Sequence, residues 1–402
     1  SELAPGIFIH DLNCGWLENP FMTKSFLIED YGTVNKIIKQ KIHAVYIDTE
    51  KGDDIKHAPT KEEADKKTES EVRRVVEEER KEDQQPENRI PMKKEIEQAK
   101  KVRNEAKKVV TDVLNDIKLG KQIETEKVTH VVNNMVESIF NNRHALTSLS
   151  RIKNRDEYTF QHSVNVCVLM LSFARTFKID RETMGKIGTG ALLHDIGKMK
   201  IPDEVLHKEG KLTDEEFSVM KSHVVESVNI LSETEGIPEI ASKIAGQHHE
   251  RYDGTGYPEG LKGKDISAFG RMAAIVDVYD AITSSRCYHH GMEPSMALKK
   301  IFDWSKYHFD ETMVQNFIRC VGIYPVGTLV MTDSKFLGVV IEPGEESMLH
   351  PVLRLVYNVK HDHFIEPRDL DLSKNGGKAD KIVGTEDPKK WNINTLKYID
   401  LF

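Results

Sequence analysis

The chain has 402 residues, with hydrophobic residues at 39%, charged residues at 30% and a formal net charge of −8. That is enough apolar content for a substantial core and length enough for two or three domains. The acidic balance argues against broad binding to nucleic acid or membranes, so an anionic substrate would need local cations. No apolar run approaches the roughly 18 residues of a transmembrane helix, and SELAPGIFIHDL lacks the charged start and apolar centre of a signal peptide. The four cysteines, Cys14, Cys167, Cys287 and Cys320, are far apart and form no CxxC pair. Reduced thiols in a cytoplasmic protein fit that spacing better than a disulfide framework or a structural zinc site.

Residues 1–55 are expected to form a small strand-rich module, because GIFIHDL, SFLIED and HAVYIDT are short β-branched or aromatic runs broken by turn residues. Residues 56–91 lie in a stretch, KGDDIKHAPTKEEADKKTESEVRRVVEEERKEDQQPENRIP, that is nearly free of large apolar side chains; a solvated, mobile linker is expected. Connecting helices follow over 92–140. Ile96, Ala99, Val102, Ala106, Val109, Val113 and Ile117 make one apolar stripe, Gly120 interrupts it, and Val128, Val131, Met135 and Ile139 make a second. These stripes pack within the chain or, less simply, against a second copy, which would give a homodimer.

Residues 141–325 read as mainly helical, with helical spacing in KIGTGALLHDIGKM, TDEEFSVMKSHVVESVNILSE and GRMAAIVDVYDAITS. Residues 326–402 return to strands in VGTLVMT, FLGVVIEP and PVLRLVYN, then become polar and weakly patterned from about His361. The fold class expected is mainly α, with a small strand-rich module at the N-terminus and a short β-rich extension at the C-terminus.

Candidate metal ligands gather in the helical region: His162, His194, Asp195, His223, His248, His249 and Asp277. Imidazole with carboxylate suits Fe, Mn, Zn, Co or Ni more than Mg or Ca. Five histidines and two aspartates exceed one tetrahedral site, so two divalent transition-metal ions are expected, and Asp195 beside His194 is the natural bridge. The apolar run ALL anchors a helix before the His–Asp pair, and Gly197 would let a substrate approach the backbone. His248 and His249 are adjacent, and neighbouring side chains on a helix lie about 100° apart; both reach one site only near a helix end, which the following DGTGYP loop supplies. Asp277 in the apolar run AAIVDVYDAI is costly unless paired or bound to metal. Each feature alone has a plain structural reading. His162 by itself would be a satisfied core histidine, His–His a solvated turn, and Asp277 a cap or ion pair. Their conjunction is what argues for a metal centre.

HDIGK at 194–198, followed by HHERYDGTGYPEGLKGKDI at 248–266, resembles the HD-GYP family of HD hydrolases, and NPFMTKSFLI with VYIDTEKG resembles the module often found before such domains. The resemblance implies an all-helical catalytic domain, hydrolysis of a cyclic dinucleotide (cyclic di-GMP by default, cyclic GMP-AMP as the other choice), and metal ligation by the seven residues above, with Fe or Mn favoured. It implies that Lys198 stands beside the metals and that Arg286 meets substrate phosphate. Tyr257 and His289 join Lys198 and Arg286 as expected substrate contacts, with Asp195 and Lys198 as the catalytic pair. It also links the Asp253–Pro258 loop to contact with diguanylate cyclases. Two departures stand out. Members with three metals carry Glu four residues before the first ligand histidine, where this chain has Tyr158, so two metals are expected. The family lysine three residues after the arginine is here His289. Two competing readings are a catalytically silent receptor signalling through the helices at 93–140 and an HD hydrolase of another nucleotide. The complete ligand set argues against the first, and the GYP loop against the second.

Overall fold

The computed structural model describes residues 2–13, 21, 25–40, 42–78, 89–150, 158–208, 210–284, 291–344, 349–374 and 380–399. The chain divides into two compact units, Ser1–Glu69 with Lys208–Thr213, and Ser70–His207 with Asp214–Phe402.

In the first unit, β1 (Phe8–Asp11) pairs antiparallel with both β2 (Phe26–Leu27) and β3 (Tyr46–Ile47). The expected strands are therefore present. Sequence reading missed α1 (Tyr31–Lys39), which Asp30 caps by accepting from the Thr33 N–H at 2.7 Å. Val34 and Ile37 on its inner face join Ile7, Ile9, Leu12 and Ile28 in a separate small core.

The segment expected to be a bare linker instead contains α2 (Lys61–Glu78). Val72 and Val75, one turn apart, are buried in the core of the second unit, and Arg73 donates to the Tyr324 hydroxyl at 2.9 Å. Residues 79–88 of the segment lie outside the described residues.

The second unit is built on α3 (Met92–Lys118), α4 (Thr125–Asn141) and α5 (Arg143–Leu149). The expected stripes are buried against one another and against the following helices, so both find their partners within the chain. At one step the inner position is Val110; Val109 is only partly buried. Next come α6 (Tyr158–Thr176), α7 (Arg181–Leu193), a 3-10 turn over Ile196–Lys200, α8 (Asp203–Leu206), α9 (Asp214–Glu233) and α10 (Glu239–Gln247). After the GYP loop come α11 (Ala268–Thr283), α12 (Pro294–Trp304) and α13 (Glu311–Val321). Every residue of α6 from Gln161 to Arg175 is buried, so this stretch has no solvent-facing side; its apolar run is the centre of the bundle.

The C-terminal part is a five-stranded antiparallel sheet, ordered β7-β6-β5-β4-β8, from β4 (Leu329–Thr332), β5 (Phe336–Glu342), β6 (Val352–Asn358), β7 (His363–Asp371) and β8 (Ile382–Thr385). The stretch from His361, weakly patterned in sequence, supplies two of these strands. β7 is an edge strand with mostly exposed side chains, so it carries no hydrophobic alternation to read. Leu329, Val339 and Leu353 of the sheet belong to the same continuous core as the helices.

Candidate metal centre

Five helices and one 3-10 turn of the second unit bring the seven expected ligands together. His162 comes from the second turn of α6 and His223 from the middle of α9. His194 caps the C-terminus of α7, and Asp195 opens the 3-10 turn with φ −102° and ψ 10°. This abrupt end of the helix turns two successive side chains into one space. His248 caps the C-terminus of α10, which likewise frees His249 from the helical 100° offset. Asp277 projects from α11, where it is 7% exposed.

Gly197 has a different role from the one expected. A Cβ there would lie 2.1 Å from the His223 carbonyl oxygen and 2.4 Å from the Ser227 nitrogen. It is α9, not a substrate, that approaches this backbone, and the Gly197 N–H donates to Ser227 Oγ at 2.9 Å. The contact seats His223 opposite the His–Asp pair.

The histidines are oriented by their outer nitrogens. His194 Nδ1 lies 2.8 Å from the Ala191 carbonyl, His223 Nδ1 2.6 Å from that of Met220, and His248 Nδ1 2.7 Å from that of Ala245. A carbonyl only accepts, so each Nδ1 carries the hydrogen and each Nε2 presents a lone pair inward. His194 Nε2, His223 Nε2, His248 Nε2 and Asp195 Oδ1 are buried without a hydrogen-bond partner. Four orphaned acceptors converging on one space cost free energy unless a cation lies among them.

Three triads have ligand atoms within 4.8 Å of one another: His162, His194 and Asp277; His223, His248 and His249; and His194, Asp195 and His248. Asp195 stands between the first two. Its Oδ2 faces His194 Nε2 at 3.3 Å and His162 Nε2 at 3.7 Å. Its Oδ1 faces His223 Nε2 at 3.3 Å and His248 Nε2 at 3.7 Å. Asp277 also spans the space, with Oδ1 at 2.9 Å from His162 Nε2 and Oδ2 at 3.9 Å from His249 Nδ1. Lys198 Nζ sits 2.5 Å from Asp195 Oδ2.

The charge states are those a cation needs. Burial alone would raise the Asp195 carboxyl, but Lys198 and His194 hold it well below the usual range. Burial opposes ionisation of Asp277 too, yet His162 keeps its carboxyl low. Burial pushes His248 down and His249 well down, so both are neutral. His162 differs. Burial works against its charge, but Asp277 and Asp280 raise it to about 9, so a proton stands where a cation would bind.

The GYP loop closes one side. The buried Glu250 carboxylate accepts from the N–H groups of Glu259 at 2.8 Å, Gly260 at 3.1 Å and Leu261 at 2.9 Å. Gly256 passes so near the strand of chain before it that a Cβ would meet Arg251 N at 2.4 Å. Tyr257, expected at the substrate, stacks on His249 with centroids 4.7 Å apart and planes at 27°, and Lys221 Nζ lies 5.9 Å from its ring centroid. Arg286 and His289 lie outside the described residues, as does the side chain of Tyr158.

Two residues that sequence reading passed over have clear roles. Glu250 shapes the loop. Asp280 holds His162 Nδ1 at 2.8 Å. Asp280 follows Asp277 by three residues, one helical turn, in VDVYDAI; a second carboxylate on the same buried face was the available signal.

The chain matches the HD domain over residues 135–313 and a domain of unknown function, DUF3391, over residues 1–128. It is similar to Cyclic di-GMP phosphodiesterase PA4108 of Pseudomonas aeruginosa, with 35% identity over 397 residues covering 98% of this chain and 93% of that protein. A Cyclic di-GMP phosphodiesterase of Vibrio cholerae is 46% identical over 134 residues, 32% of this chain and 27% of that protein. The 3'3'-cGAMP-specific phosphodiesterase 2 of Vibrio cholerae is 33% identical over 165 residues, 41% of this chain and 32% of that protein. No helix among the described residues is long and apolar enough to cross a membrane. With its HD pair, its GYP loop and a relative matched along nearly its whole length, the chain belongs to the HD-GYP family of metal-dependent phosphodiesterases.

Proposed function

We propose that this protein hydrolyses a cyclic dinucleotide at a two-metal centre bridged by Asp195, opening the ring to a linear dinucleotide. The division of the Asp195 carboxylate carries the reading. One oxygen faces His162 and His194, the other His223 and His248, so each of two cations would receive one oxygen from a single side chain. His162, His194 and Asp277 would complete one position, and His223, His248 and His249 the other. Bound divalent ions would supply Lewis acidity to the phosphate oxygens and lower the pKa of a water. Imidazole and carboxylate donors without thiolate suit Fe, Mn, Ni, Co or Zn, and the family resemblance puts Fe or Mn first.

The chain's own groups do the rest. Asp195 and Asp277 keep negative charge at the centre, and the backbone carbonyls behind His194, His223 and His248 fix the ring orientations. The Lys198 ammonium, beside Asp195 Oδ2, offsets charge that develops on the phosphate. Arg286 is assigned to substrate phosphate from the family resemblance, and His289, which stands where the family has lysine, is proposed as a further substrate contact. The stack on His249 favours Tyr257 as a support for that ligand as well as a wall of the site.

The names of the relatives put cyclic di-GMP first and 3'3'-cGAMP second as substrate. Contact between the Asp253–Pro258 loop and a diguanylate cyclase, a homodimer, and a cytoplasmic location, where such a substrate would be met, belong to the same reading. The test is chromatography of products after the metal-loaded chain is incubated with cyclic di-GMP, 3'3'-cGAMP or a linear dinucleotide. Linear product from at least one cyclic substrate is expected. Tight binding of both cyclic compounds without any cleavage would make the chain a receptor and overturn the proposal.

A further inference from the structure

The four histidines whose Nε2 faces Asp195 are not held alike. His194, His223 and His248 each set Nδ1 on a neutral backbone carbonyl three residues earlier. His162 sets Nδ1 on a carboxylate, Asp280 Oδ2, at 2.8 Å. Asp280 is 2% exposed and is itself held: Asn165 Nδ2 donates to its Oδ1 at 3.2 Å, while Ser284 Oγ donates to the Asp280 backbone carbonyl at 2.6 Å and lies 3.3 Å from Oδ2. A buried carboxylate is costly to keep when a neutral acceptor would satisfy the same ring hydrogen. Burying charge here is reasonable only if charge is what the site uses. An anion behind an imidazole makes the opposite nitrogen a stronger donor and locks the ring's direction.

From this asymmetry we infer that Asp280 is a positioning residue that sets the affinity of one of the two metal positions, the one formed by His162, His194 and Asp277. The inference rests on the two-metal reading above. The position backed by Asp280 binds the more tightly held ion, and the position formed by His223, His248 and His249, with Asp280 on the far side of His162, fills second. Asp280 touches neither substrate nor reacting atoms; it acts through His162.

The test is a competition titration of the metal-free full chain with Mn²⁺ against a chelator, read together with the visible spectrum of the Co²⁺-loaded protein. Asp280→Asn keeps the shape and an acceptor oxygen but removes the charge. It is expected to weaken one binding phase by roughly 10- to 100-fold while leaving the other within a few-fold, and to change the absorption of one Co²⁺ equivalent only. If the metal-free variant loses its helical circular dichroism, Asn165→Ala serves instead. That change removes only the donor holding Oδ1 and should weaken the same phase about two- to tenfold, one ordinary hydrogen bond. Equal weakening of both phases, or unchanged phases in a folded variant, overturns the inference while the two-metal reading stands. Uptake of a single ion by the unaltered chain overturns both.

Discussion

Gly197→Ala changes no ligand, yet the structure requires it to disturb the metal centre. The added methyl would lie 2.1 Å from the His223 carbonyl oxygen, 2.4 Å from Ser227 N and 2.9 Å from Glu226 Cβ. Two of these are backbone atoms of α9, so no side chain can swing away. The gap to the carbonyl must open to at least 3.0 Å, which means α9 shifts away from the 3-10 turn and carries His223 with it. The same shift lengthens the 2.9 Å bond from Gly197 N–H to Ser227 Oγ. Overpacking of this kind costs about 1–3 kcal/mol; at about 2 cal/mol/K per residue over the second unit, Ser70–His207 with Asp214–Phe402, that corresponds to roughly 1–5 °C in Tm. The centre should respond more sharply than the fold, because a displaced imidazole loses its place opposite Asp195 Oδ1, now 3.3 Å away. Differential scanning calorimetry and elemental analysis of the same preparation make the assay. The expected result is a folded protein of lowered Tm that holds less than its full metal complement. A variant with unaltered Tm and full metal content would show that α9 does not seat His223 through Gly197.

Other outcomes follow from the same geometry. Glu250→Gln leaves three loop N–H groups facing one uncharged acceptor, so the GYP loop should lose about 1.5–3 kcal/mol of local stability; hydrogen exchange at Glu259, Gly260 and Leu261 reads this, and unchanged protection there would count against the role given to Glu250. Tyr257→Leu removes the ring stacked on His249, a pair worth about 0.5–1.5 kcal/mol; metal titration should show roughly two- to tenfold weaker binding, and unaltered binding with raised KM would make Tyr257 a substrate contact instead. In metal-free protein His162 is raised from 6.5 to about 9, so its paired proton stabilises the fold fully below 6.5 and is lost as pH rises through about 9. The Tm of chelator-treated protein should therefore fall across that window, and a flat profile would refute the His162 pairing with Asp277 and Asp280.

The bundle and the convergence of the candidate ligands are readable because both follow from strong local signals: three- and four-residue apolar periods in α3 and α4, and His–Asp and His–His pairs placed where helices end. What the sequence hid has particular causes. Among the described residues, the apolar side chains that α2 buries are Val72 and Val75, a signal drowned by the charges around them. β7 is an exposed edge that is held by pairing with β6 and by contacts such as Arg354 with Asp369, neither of which leaves an apolar alternation to read. Gly197 was read as room for a substrate because sequence does not say which element approaches a glycine; the answer, α9, lies about 30 residues on in the chain. The stack of Tyr257 on His249 is hidden for a similar reason, since a loop residue's stacking partner is fixed only when the loop folds back. Asp280, by contrast, was within reach, one turn beyond Asp277 on a helix already known to be buried.

The account stands on Asp195 joining two ions that work together. Its most direct test is a stepwise metal titration of the chelator-treated chain, with bound metal and cyclic di-GMP hydrolysis measured on the same samples. Activity should stay near zero through the first equivalent and rise with the second, and Asp195→Asn should abolish that rise. Full hydrolysis at one bound ion per chain, or wild-type turnover by the Asp195→Asn variant, would contradict it.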